Sequence, residues 1–268
     1  MDDSRLPNVF LERRGNIALI TIHRPTARNA LNLQSMLELL DIARNLQADT
    51  TIKGVFLFGQ PGFFCAGGDI SYFQELSSVP ETQRLPLLKY YIETAQNVIR
   101  SLAAIQCPLV ACIDGTVAGY GLSLACLADQ VIVSERSRLL PAYTAIAASP
   151  DGGLSYLLTQ LIGERRALQW ILHNQPMSLE QALEWGLISE LHSNIDFEMR
   201  IQAVMDALAA SPKIAFRNSK RLIKQASLKK LDIQLTDELN AFLDSATQPD
   251  FYEGIVAFSN KRAAIFSE

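Results

Sequence analysis

Two glycine-bearing segments and one aspartate carry the chemical signal in this chain. The first segment is Phe63-Phe64-Cys65-Ala66-Gly67-Gly68-Asp69. The second is Ile113-Asp114-Gly115 followed by Ala118-Gly119-Tyr120-Gly121. Each brings glycine to the end of a strand-like run, and the second opens a helix. Small residues let a ligand approach the main chain. The first N–H groups of a helix are free donors at the positive end of its dipole. Two such donors aimed at one point stabilise an enolate or a tetrahedral oxyanion. The same glycines also serve as plain turns and tight packing, and the residues alone leave both readings open. A phosphate-binding loop is disfavoured, because neither GxxxxGK[ST] nor GxGxxG occurs here. The aspartate is Asp151 in Ser149-Pro150-Asp151-Gly152-Gly153, ahead of a helix expected near Leu154. Pro-Asp-Gly is a turn, and Asp is a good N-cap. The carboxyl is equally a candidate base.

These groups need a scaffold, and the hydrophobic pattern supplies one. Val9–Glu12 and Ile17–Ile22 read as strands around a turn at residues 13–16. Leu31–Leu46 has helical spacing, and Val55–Gly59 is a short buried strand. A second round follows: a helix over Leu87–Ile105, a strand over Pro108–Ile113, a helix over Gly121–Ala128 and a strand over Gln130–Val133. Residues 72–91 are expected to cover a pocket, with an irregular loop over 77–86. Ser178 is an expected N-cap with Gln181 in capping-box position. Further helices are expected over 198–225, 232–246 and 251–266. The reading is α/β: a core over residues 1–197 and a helical region over 198–268, with no low-complexity linker between them.

Bulk properties exclude several classes. Of 268 residues, 49% are hydrophobic and 19% charged, which supports a large core and argues against disorder. A net charge of −4 gives no support for nucleic-acid or membrane-surface binding. Cys65, Cys107, Cys112 and Cys126 show no metal-type spacing, so no metal site is expected and buried thiols in a reducing cytoplasm are. The start, Met1-Asp2-Asp3-Ser4, lacks a signal-peptide apolar region. The apolar stretch 108–133 is broken by Asp114, Asp129 and glycines and is not a membrane span. A cytoplasmic location is expected.

The chain resembles the crotonase superfamily, also called enoyl-CoA hydratase/isomerase, almost end to end. The resemblance runs through His23-Arg24-Pro25, Arg28-Asn29-Ala30-Leu31, Phe64-Cys65-Ala66-Gly67-Gly68-Asp69, Asp114-Gly115 and Ala118-Gly119-Tyr120-Gly121. It continues through Ser149-Pro150-Asp151-Gly152-Gly153 and Ala182-Leu183-Glu184-Trp185-Gly186-Leu187, and closes on Glu253-Gly254-Ile255-Val256-Ala257-Phe258 with Lys261-Arg262. It implies a spiral of ββα units followed by a helical trimerisation region, and a homotrimer or dimer of trimers. It also implies an acyl-CoA thioester substrate and no separate cofactor, coenzyme A being part of the substrate. By position the N–H groups of Gly68 and Tyr120 are the oxyanion donors. Arg28, Ala66 and the strand after Pro61 lie along the coenzyme A. Lys261 helps hold its phosphates, or is a solvated helix residue. Gly67, Asp69, Gly119, Ser123 and Ala142 belong to the substrate-binding surface.

The two glutamates of a hydratase of this family are replaced, by Ser123 and by Ala142. Asp151 stands where single-acid members, the phenylacetate-pathway and related enoyl-CoA isomerases, carry an aspartate facing the acyl chain. The implied activity is isomerisation of an enoyl-CoA through this one base. A hydratase using Asp151 with Ser123-bound water, and a coenzyme A-binding scaffold without catalysis, are the alternatives. Ser123 is expected to hydrogen-bond Asp151 or a water, or else to be a small residue for close packing. An aryl-CoA dehalogenase would need an aromatic-lined pocket, and Tyr143 is the only aromatic between Tyr120 and Tyr156. No histidine matches a catalytic position.

Overall fold

The computed structural model describes residues 7–60 and 62–267. The acidic start, Met1–Ser4, lies outside them, as does Pro61. Among the described residues nine strands form two sheets. The larger takes β1 (Val9–Arg14), β2 (Ile17–Ile22), β3 (Gly54–Gly59), β5 (Leu109–Ile113), β7 (Gln130–Ser134) and β9 (Glu190–His192), side by side in that order. The smaller takes β4 (Gly62–Cys65), β6 (Gly115–Ala118) and β8 (Arg138–Leu140). Only β1 runs antiparallel to its neighbour. Each of the pairs β3–β4, β5–β6 and β7–β8 crosses from the large sheet to the small one. Repeating that crossing three times makes the spiral, and the resemblance is borne out in the fold.

The large sheet is covered on both faces, so its strands are nearly all apolar. Ala18, Ile20 and Ile22 point into the main core, with α1 (Leu33–Ala48) and α3 (Glu81–Ala103). Ile17, Leu19, Phe56, Val110 and Ile132 point the other way. They meet Phe197, Ile201, Val204, Met205 and Leu208 of α8 (Asn194–Ala210). So α8, which spans the expected boundary at residue 198, packs on the strands. Ser178 caps α7 (Leu179–Glu184) by accepting the Gln181 N–H at 3.1 Å. Among the described residues no helix is long and apolar enough to cross a membrane.

Several expected boundaries shift. The segment 77–86 is mostly helix: α3 begins at Glu81 and carries Pro86 in its second turn, at the cost of one backbone bond. A short helix, α2 (Ile70–Ser77), precedes it, capped by Asp69 accepting from the Ser71 N–H at 3.1 Å. The expected break between 225 and 232 is absent. α9 (Lys213–Thr247) is one 35-residue helix, because its apolar positions there pack on other helices rather than ending. α10 (Pro249–Ser259) is shorter than the pattern over 251–266 suggested.

α9 is tied to the core along its length. Lys220 and Lys224 pair with Asp129 at 2.7 and 2.6 Å. Gln96 of α3 donates to the Leu235 carbonyl, and Arg100 pairs with Asp232 at 2.6 Å. Leu235 itself is fully buried. Leu235→Ala is expected to cost about 2–5 kcal/mol, the usual range for such a truncation. Urea unfolding should remain one cooperative transition. A separate early transition for the C-terminal helices would refute their integration into the core.

Candidate active site

The two glycine segments come together in space. Gly67 has φ +96°, and a Cβ there would stand 3.0 Å from the Ala118 carbonyl oxygen and 3.3 Å from the Tyr120 nitrogen. Only glycine fits that conformation and that approach. The Gly68 N–H has no acceptor among the described residues, and Tyr120 opens α4 (Tyr120–Leu127), where first-turn N–H groups lack helical partners. Tyr91 braces the first segment: its hydroxyl donates to the Leu31 carbonyl and accepts the Asp69 N–H at 3.3 Å. The buried Tyr120 side chain donates to the Ala95 carbonyl at 2.7 Å.

Gly68, Tyr120 and Asp151 line one cavity of about 70 Å³. Gly67, Gly119, Ala142, Tyr143, Ala66 and Phe258 also line it. Asp151 is 7% exposed. The Tyr143 hydroxyl donates to its Oδ1 at 2.7 Å, and no other side chain donates to this carboxyl among the described residues. Burial lifts the Asp151 pKa from 3.8 to about 6, and the Tyr143 bond restrains the rise. Ser123 is fully buried, and its hydroxyl donates to the Asp151 backbone carbonyl at 2.8 Å. It therefore positions the loop and does not touch the carboxylate. Gly152 follows at φ +63°, where a Cβ would lie 2.6 Å from the Tyr120 ring.

Beyond Asp151 the chain enters α5 (Leu154–Ile162). Its start is held by Glu238 of α9, which is 4% exposed. Glu238 accepts the Gly153 N–H at 2.6 Å, the Ser155 N–H at 2.9 Å and the Ser155 hydroxyl at 2.5 Å. Burial raises its pKa to about 7, against those bonds, and the nearby Asp151 charge adds to the rise. Nothing in the sequence near residue 151 points to Tyr143 or Glu238. One is an aromatic before the motif, the other a glutamate on a helix 87 residues on.

A wider groove of about 730 Å³ shares Ala66, Gly68, Ile70 and Phe258 with the cavity. Arg28, Asp69 and Lys261 line it. Ala66 donates its N–H to the Arg28 carbonyl at 3.3 Å, while no residue of β4, the strand after Pro61, lines the groove. The Asp69 carboxylate is engaged: it pairs with Arg24 at 2.9 Å and caps α2. Lys261 lies beyond the end of α10 at φ +53°, so it is not a helix residue. Arg262 is paired with Glu253 at 2.6 Å. Ala142 has φ +67° and donates its N–H to Asn174 Oδ1 at 2.7 Å. None of His23, His173 and His192 lines the cavity.

The aromatic count between Tyr120 and Tyr156 misleads. The cavity takes Phe73 from α2, Phe242 from α9 and Phe258 from α10, all outside that span. An aromatic-lined pocket is present.

A three-fold crossing between two sheets, with two glycine segments and a buried acid lining one cavity, is the crotonase fold. Residues 12–268 match the sequence model described as enoyl-CoA hydratase/isomerase, and the chain belongs to that family. A 4-chlorobenzoyl coenzyme A dehalogenase from Arthrobacter sp. is 29% identical, over 95% of this chain and 91% of that protein. The 1,2-epoxyphenylacetyl-CoA isomerase of Escherichia coli K12 is 29% identical, over 94% and 95%. The crystal structure of an enoyl-CoA hydratase from Mycobacterium avium subsp. paratuberculosis superposes with a TM-score of 0.87 at 28% identity, covering 97% of this chain and 99% of that one.

The buried acid has a thermodynamic signature. Its folded-state pKa lies above the unfolded value. Its contribution therefore favours the folded state in acid and is lost as the pH rises through about 6. Asp151→Asn is expected to be more stable than the parent at pH 8, by up to about 3 kcal/mol, with the difference shrinking towards pH 4. Thermal melts at several pH values read this. A variant less stable than the parent at pH 8 would contradict the burial argument.

Proposed function

We propose that this family member is an enoyl-CoA isomerase that shifts a double bond by proton transfer through Asp151. One observation carries the reading: the cavity has a single carboxyl, buried and ionising close to neutrality, in an otherwise apolar lining. Asp151 takes the C2 proton of a 3-enoyl-CoA. The electron pair moves onto the thioester oxygen, held by the Gly68 and Tyr120 N–H groups. The same carboxyl returns the proton at C4, giving the 2-enoyl-CoA. A base of pKa about 6 is mostly ionised at neutral pH yet still basic enough to act. Tyr143 holds one oxygen and leaves the other for the substrate. Arg28 and Lys261, in the adjoining groove, take the phosphates of coenzyme A. The apolar side chains that α9 exposes, Phe216, Leu222 and Ile223 among them, suit the expected homotrimer.

A hydratase divides acid and base work between two carboxyls. Here Ser123 is committed to a backbone carbonyl, which leaves it poorly placed to hold water for Asp151. Dehalogenation is a second reading, favoured by the dehalogenase relative and the aromatic wall. Asp151 would then attack the ring carbon and expel halide, and water would hydrolyse the aryl ester. Against it stands the small volume.

Ultraviolet absorbance with 3-butenoyl-CoA should rise as the conjugated crotonyl thioester forms, while crotonyl-CoA is not hydrated. The kcat/KM profile should fall on the acid side near pH 6. Asp151→Asn should lose about 10²- to 10⁴-fold, the usual range for a positioned acid–base group. Full activity in that variant sinks the mechanism. Chloride release from 4-chlorobenzoyl-CoA without isomerisation would select the second reading.

A further inference from the structure

The cavity wall away from the coenzyme A groove is aromatic. Phe73 and Phe242 line the cavity but not the groove. Phe242 is 2% exposed. Its ring centre lies 6.1 Å from that of Phe73 and 5.7 Å from that of Phe251, and those two are 6.0 Å apart. The three rings meet at tilted or edge-on angles, which aromatic pairs prefer. Each therefore blocks the others from swinging aside. Tyr91 packs edge-on against Phe73 at 5.3 Å and backs the cluster.

The space in front of this wall is small, about 70 Å³. An apolar cavity of about 150 Å³ takes up benzene, so this one holds roughly three carbons by the same measure. The lining contains no cation, and its polar side chains are those of Asp151, Tyr143 and Tyr120. A carboxylate at the far end of an acyl chain would enter unpaired, which burial strongly disfavours.

Resting on the acyl-CoA reading above, we infer that Phe242 determines specificity: its ring ends the acyl cavity and selects short, uncharged aliphatic acyl groups. The residue comes from α9, far from the oxyanion segments in sequence. Each methylene that does not fit a packed apolar pocket changes recognition by about 10- to 200-fold.

Calorimetric titration with saturated acyl-CoAs tests this, since saturated chains cannot isomerise and the result does not depend on Asp151. Butyryl-CoA should bind the parent protein at least about tenfold more tightly than hexanoyl-CoA or decanoyl-CoA, in line with the cost of a misfit methylene. Phe242→Ala should move the preference to longer chains. Phe242→Leu should move it less, in the same direction, and keeps the test decisive if the alanine variant does not fold. Circular dichroism and melting establish which variants are folded. Equal or tighter decanoyl binding by the parent overturns the inference, as does an unchanged profile in a folded variant. Tight binding of all lengths refutes the wall alone. Failure to bind any acyl-CoA refutes the acyl-CoA reading itself.

Discussion

A carboxyl buried in an apolar cavity and held by a single phenol is the contact on which the rest of this site depends. Water would solvate the Asp151 charge well, while here it has the Tyr143 hydroxyl and its own backbone N–H. Burial raises the Asp151 pKa, so ionising it works against the folded state at neutral pH. Stability is given up locally and recovered elsewhere, in the two-sided burial of the large sheet and the long helix packed across the core.

The loop carrying that carboxyl is fixed from three directions. Ser123 holds its carbonyl, the Tyr120 ring leaves room only for glycine at 152, and Glu238 takes the free donors at the start of α5. Glu238 does for α5 what an N-cap residue does, but from another helix. It brings a second buried carboxyl with it, whose pKa the Asp151 charge helps to raise.

The C-terminal helices complete the candidate site as well as the fold. Glu238 and Phe242 lie one turn apart on α9, on the face that also buries Leu231, Leu235 and Leu239. One stripe of a helix therefore anchors the acid loop, closes the cavity and joins the core. Phe258 of α10 lines both cavity and groove. A boundary at residue 198 separates the sequence by composition, yet the chemistry is assembled across it.

The sequence alone determined the main elements, the family and the three short motifs that meet at the site. Those signals are local: an apolar period, a cap such as Ser178, a glycine where the backbone turns sharply. The acid's position in Ser149-Pro150-Asp151-Gly152-Gly153 was legible for the same reason. Tertiary structure alone decided the partners: Tyr143 on the carboxylate, Ser123 on the carbonyl instead, Glu238 on the helix start, and three phenylalanines from separate helices around the acyl space. The lone aromatic counted between Tyr120 and Tyr156 failed as a guide because a cavity wall is drawn from whatever packs there. Side chains brought together by burial carry no mark in the residues beside them, and their contacts exist only once the distant helices are in place.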